Sequence, residues 1–246
     1  MNIMSNVGHR PWPLPSKNWI MRQRWRNLLF CHWPLPSEIL QHHIPSNLEL
    51  DTYHGFAWLG VIVFMLEGIH PRGLSALSLT PAFSEVNLRT YVHYQGKPGV
   101  FFLSLDVGDW ASYTIAKRWY HLPYKKAFIS FQKERQSFTC QSVRKGGVHP
   151  PISFGVKYTP SSEIYVPKEG TLDHWLTERY CLFSTNHGSN LYCGEIHHHP
   201  WPLQKAEAEI SRNTLFTPFN ITTTEWPPIY HFSKGLDTLF WNIRKV

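Results

Sequence analysis

Residues 79–131 read LTPAFSEVNLRTYVHYQGKPGVFFLSLDVGDWASYTIAKRWYHLPYKKAFISF, and their periodicity decides the fold class. After the turn signal Thr80-Pro81, Glu85, Asn87, Arg89, Tyr91 and His93 share one parity. Val86, Leu88, Thr90, Val92 and Tyr94 share the other. A period of two is a strand with one polar and one apolar face. Residues 95–99 read as a hairpin loop longer than the two-residue kind. Val100 to Leu105 is an apolar return strand, to be covered on both faces. Asp109 then suits the N-cap of a helix from Trp110 to about Tyr120, ended by Pro123. Lys125-Lys126 opens the next strand.

A polar strand face usually meets solvent in an antiparallel sheet. This one carries Glu, Asn, Arg, Tyr and His rather than the Lys, Thr and Ser of wet sheets. Such side chains suit the wall of a closed cavity, and Glu85, Arg89 and Tyr91 are expected to point into one. Glu85 and Arg89 lie roughly 13 Å apart at about 3.3 Å per residue, so they cannot pair directly. A buried guanidinium without a partner is expensive, so Arg89 should meet a carboxylate or carbonyls from a neighbouring strand.

The remaining chain supplies more strands. Met21 to Trp33 fits either a strand or a helix, and its His32 fits a core position better than a pocket one. Residues 36–40 start a short helix that ends before Pro45. Leu48 to Tyr53 and Phe56 to Glu67 follow as strands, the second apolar on both faces. Residues 70–79 form a loop placed to act as a lid. Phe131 to Val143 and Ile152 to Tyr158 make a hairpin around residues 144–147. Thr171 caps a helix over residues 172–180, whose Glu178-Arg179-Tyr180 fits a solvated turn as well as a pocket. Late strands cover 191–196, 204–210 and 232–241, and residues 1–20 read as an extended leader.

At 246 residues, 42% hydrophobic and 15% aromatic, the chain can bury one substantial core. Nineteen prolines suit many short strands with firm turns. The net charge of +7 is scattered, which argues against nucleic acid and modestly favours an anionic small ligand. The first twenty residues lack an apolar signal segment, and the apolar run from Phe56 to Leu66 is too short to span a bilayer. A cytoplasmic protein with reduced thiols is expected. In the run from Cys193 to His199, only His197 and His199 converge on a strand face with Cys193 and Glu195. No metal is expected there, since Pro200-Trp201-Pro202 reads as a rigid turn. The absence of a phosphate-cradling glycine loop or nucleophile elbow leaves no cofactor to expect.

Six segments, in order, resemble the YqjF-like family of uncharacterised bacterial proteins. They are RWRNLLFCHWPLP at 24–36, SEVNLRTYV at 84–92, GKPGVFFLSLD at 96–106, HLPYKKA at 121–127, LTERY at 176–180 and HHPWPL at 198–203. That family is similar in fold to acetoacetate decarboxylase, a β-rich cone or barrel enclosing a pocket. The resemblance implies a PYxE-type strand, matched here at Phe83-Ser84-Glu85. It also implies a WGFPKK segment whose first lysine forms a Schiff base, matched by residues 119–126. Registered on Pro123, Tyr124 takes the Schiff-base position and Lys125 the neighbouring one.

The expectation is one α+β domain over residues 21–246. A mainly antiparallel sheet curls into a cone or barrel around a polar pocket, with a few flanking helices. Its function is binding of a small anionic or carbonyl-bearing metabolite by Glu85, Arg89, Tyr91 and Tyr124. The alternative is a decarboxylase or lyase using Lys125 or Lys126, of which Lys126 shares the parity of Tyr124. No membrane or nucleic-acid partner is expected, and a homo-oligomer is compatible with the sequence.

Overall fold

The alternation at residues 85–94 forms strand β4 (Phe83–Tyr94), and the apolar return forms β5 (Lys97–Val107). Their loop is shorter than expected. Gln95 and Gly96 both adopt positive φ, the pair a two-residue I′ turn needs, so Lys97 and Pro98 stay in the ladder opposite Tyr94 and His93.

The computed structural model describes residues 3–74, 78–108, 120–146, 150–186, 190–223 and 227–246. Before β4 come β1 (Met21–Leu35), α1 (Ser37–Gln41), β2 (Glu49–Leu50) and β3 (Ala57–Pro71). After β5 come β6 (Tyr124–Glu134), β7 (Ser137–Arg144), β8 (Ser153–Pro160) and α2 (Leu172–Thr177). Last are β9 (Cys181–Thr185), β10 (Leu191–His197), β11 (Leu203–Asn213), β12 (Ile229–Phe240) and β13 (Arg244–Lys245). No helix among the described residues is long and apolar enough to cross a membrane.

The sheet closes. Strands β5-β6-β7-β8-β11-β12-β1-β3-β4 form a nine-strand barrel that returns to β5. Two of these strands change partner along their length. β12 bonds β11 at residues 231–233 but β10 at Leu239 and Phe240. β5 bonds β6 at Leu105 to Val107 but β9 at Val100 and Phe101, both in parallel. A second circuit, β12-β1-β3-β4-β5-β9-β10, therefore shares five strands with the barrel.

The shared wall is covered on both sides. Leu29, Cys31, Val61, Val63, Val86 and Leu88 face a packed core with Phe138, Phe154 and Tyr158. Leu28, Phe30, Ile62, Phe64, Glu85 and Asn87 face the second circuit, which encloses a cavity. That is why β3 is apolar at both parities. Bulges steer the alternation. On β1, Met21, Gln23 and Trp25 face the cavity, then Leu28 and Phe30, the parity flipping at Asn27, whose φ is 54°. On β5, the extra residue Leu103 makes the same switch between Phe102 and Leu105.

Other boundaries moved. The expected strand from Phe131 to Val143 is divided by a tight turn at Arg135-Gln136, with Arg135 at φ 56°. The expected lid begins late, because His70 and Pro71 remain in β3, and residues 75–77 lie outside the described residues. Most of the expected helix after Asp109 also lies outside them. Thr171 does cap α2, its hydroxyl accepting from His174 N. The helix stops at Thr177, because the next three residues have partners elsewhere. Glu178 Oε1 accepts from Trp201 N at 2.7 Å, Tyr180 donates to Glu178, and Arg179 reaches Asp51. Strand β9, unanticipated, follows directly.

Candidate functional site

The second circuit holds a cavity of about 220 Å³, lined from β1, β3, β4, β5, β9, β10 and β12 and from Tyr124 at the head of β6. Its walls are mainly apolar rather than polar. Trp25, Phe30, Phe64, Phe102, Trp201 and Phe240 are among the lining side chains, and two polar groupings stand between them.

The first is Glu85, Asn87 and Tyr124. The ladder brings them together: Asn87 pairs with Leu105 on β5, and Leu105 pairs with Tyr124 on β6. The Tyr124 hydroxyl donates to Glu85 Oε2 at 3.5 Å. Burial pushes the Glu85 carboxyl up from 4.5 to about 7, against the opposing hydrogen bonds from Asn87 and Tyr124. Near neutrality it is thus divided between acid and carboxylate. The Tyr124 phenol is pushed well up by burial and by Glu85, so it remains a donor.

The second place is Arg89 with Arg179. Arg89 lies over the rings of Phe30 and Tyr91, 5.9 and 5.6 Å from their centroids. Its Nη2 donates to the Tyr91 hydroxyl at 3.4 Å, and its Nε is buried without a partner. The expected carboxylate from a neighbouring strand is not there: among the described residues none pairs with Arg89. Arg179 stacks on Tyr91 and Trp175, 4.9 and 4.3 Å from their centroids. It donates to Asp51 Oδ2 at 2.5 Å and to the Trp175 carbonyl at 2.7 Å, while its Nη2 is buried and unpartnered. Two permanent cations therefore stand near one another, with Asp51 paired to Arg179 alone.

Tyr91 sits behind the cavity wall. Its hydroxyl is held by His32 Nε2 at 2.6 Å and by the Leu176 carbonyl at 2.9 Å. Burial, then Arg89, pushes the His32 imidazole well down, so it is neutral. Tyr91 and His32 thus position the arginines. Neither lysine lines the cavity: Lys125 is exposed, Lys126 is partly so, and Tyr124 occupies the inward position.

The His-rich segment takes another course. β10 ends at His197, so strand parity does not extend to His199. His197 Nε2 meets the Ile3 carbonyl at 3.0 Å, and Cys193 lies against Cys181. No three ion-ligating side chains are grouped among the described residues. The segment anchors residues 3–20 instead. Arg10 donates to the Ile196 carbonyl and to Glu195, which also accepts from Trp12 and Lys97.

Of these residues, Glu85, Arg89 and Tyr124 were legible from parity and motif. Asp51 carried no signal, and Arg179 was indistinguishable from a solvated turn.

The profile of the DUF2071 family, described as an uncharacterized conserved protein, matches residues 22–237. The uncharacterized protein YqjF of Bacillus subtilis strain 168 is 44% identical over 232 residues, covering 94% of this chain and 95% of that one. Solved structures agree in fold. The enduracididine biosynthesis enzyme MppR complexed with pyruvate superposes with a TM-score of 0.65 at 10% identity, over 97% of this chain and 93% of that one. An acetoacetate decarboxylase from Legionella pneumophila gives 0.62 at 14% identity, over 99% and 95%.

Proposed function

This chain belongs to the DUF2071 family and has the acetoacetate decarboxylase-like fold, and on that premise we propose that its cavity binds a small carboxylate-bearing metabolite without Schiff-base chemistry. The observation that carries this reading is Arg89, half-buried on the wall of an apolar chamber, its Nε buried without a partner and no carboxylate among the described residues to neutralise it. A ligand carboxylate would supply the missing charge and accept hydrogen bonds from Arg89 and Arg179. The apolar walls suit a hydrocarbon or aromatic body. A volume of about 220 Å³ lies below the roughly 300–1,000 Å³ of drug-sized pockets, which fits a metabolite. Tyr124 and protonated Glu85 are donors for a carbonyl further along β4. MppR, of the same fold, is complexed with pyruvate, a ligand of this class.

A catalytic reading has its own support. A carboxyl near neutrality beside a buried phenol is suited to proton transfer at a carbonyl compound. Such a reaction would use Glu85 and Tyr124, and neither lysine.

Two measurements test these readings. Pyruvate, acetoacetate and larger 2-oxo acids should raise the melting temperature of the wild type by mass action and leave Arg89→Met unmoved. Equal shifts in both proteins, or none in either, would remove Arg89 from the account. Incubation with acetoacetate followed by borohydride should leave the intact mass unchanged. A stoichiometric gain abolished by Lys125→Ala or Lys126→Ala would make this an amine-catalysed enzyme.

A further inference from the structure

We propose that Cys181 and Cys193 form a reversible dithiol–disulfide site, oxidised by a small peroxide that reaches Cys193 through the surface pocket formed with Lys97 and Arg244. Their sulfurs lie 2.9 Å apart, and both side chains are buried between β9 and β10. The ladder pairs Cys181 with Glu195 and Cys193 with Phe183, so the two cysteines are diagonal neighbours. A disulfide formed there borders a pocket at the surface, where a reducing thiol can reach it.

The two sulfurs are not equivalent. Cys193 opens onto a pocket that Lys97, Arg244, Tyr94 and Gln95 also line. The contact with Cys181 draws the Cys193 thiol below its ordinary value, against burial, with Lys97 and Arg244 helping. Burial pushes Cys181 well up. Cys193 is then the attacking thiolate and Cys181 the resolving thiol. The Cys193 sulfur attacks one peroxide oxygen, the O–O bond breaks, and the departing hydroxide takes a proton and leaves as water. Cys181 attacks the resulting sulfenic acid. The S–S bond forms as S–O breaks, and the Cys181 proton leaves with that oxygen as a second water. Two thiols are oxidised to one disulfide while one peroxide is reduced to two waters.

The reach extends inward. Cys181 also lines the cavity two residues after Arg179, so the dithiol adjoins the cationic part of the wall.

Hydrogen peroxide in a few-fold molar excess, followed by alkylation and non-reducing peptide mapping, tests the site directly and does not depend on the cavity ligand. The expected result is a loss of about 2 Da located in a Cys181–Cys193 cross-link and reversed by dithiothreitol. Cys193→Ser should form none, and Cys181→Ser should stop at a sulfenic acid that dimedone traps on Cys193. Full alkylation of both cysteines after treatment, or oxidation beginning at the core residues Cys31 or Cys140, would overturn the proposal. Should a serine variant fail to fold, the wild-type map alone decides.

Discussion

Glu85 is ionised or neutral according to which of two effects wins. Burial among aromatic and aliphatic side chains outweighs the hydrogen bonds that Asn87 and Tyr124 offer, and the carboxyl rises from 4.5 to about 7. A carboxyl raised in the folded state keeps its proton after the unfolded chain has lost it. Between about pH 4.5 and 7, stability must then fall as pH rises. At about 1.36 kcal/mol per pKa unit the full effect is on the order of 3 kcal/mol. Glu85→Gln should therefore flatten the decline of melting temperature between pH 5 and 8 and be the more stable protein at pH 8. Parallel declines in the two proteins would assign the slope to other groups. Parity alone placed Glu85 and Arg89 on one face. It could not reveal that none of the described carboxylates pairs with Arg89, because that depends on which side chains arrive from the segments after β2 and between α2 and β9.

At the scale of elements, bulges decide which residues reach the cavity. The flip at Asn27 depends on Gly235, which pairs with Arg26 at the same crease and has φ 124°. A Cβ there would lie 2.0 Å from the Trp25 carbonyl oxygen. Gly235→Ala should cost on the order of 3 kcal/mol or more, since both clash and backbone conformation oppose it. Gly170 also has positive φ, but open space surrounds its Cβ position. Gly170→Ala should cost only about 1 kcal/mol, the conformational part alone. Denaturant midpoints of the two variants would compare them, and equal losses would rule out the steric contribution at Gly235. Strand β4, the apolar β3 and the Thr171 cap were all readable from local pattern. The turn at Arg135-Gln136 was not, because neither residue is a usual turn former and only the pairing of β6 with β7 selects it.

Five strands are shared between the packed barrel and the circuit around the cavity, so neither can come apart alone. The chain should unfold in denaturant as one unit, with tryptophan fluorescence and far-ultraviolet circular dichroism tracing the same transition. Phe154→Ala, deep in the packed side, should cost about 3–5 kcal/mol of stability and lower the midpoint of both signals together. Separate transitions would mean that the cavity side folds independently. The sequence by itself determined that this is a mainly antiparallel β protein with a polar stripe on β4 and a tyrosine at the head of β6. Those properties follow from residue spacing and local motif. Only the tertiary structure decided that the wall serves two compartments, that the cavity is mostly apolar, and that Arg179 joins Arg89. Each of these depends on strands far apart in sequence meeting in space, and a period of two says which residues share a face without saying what that face will meet.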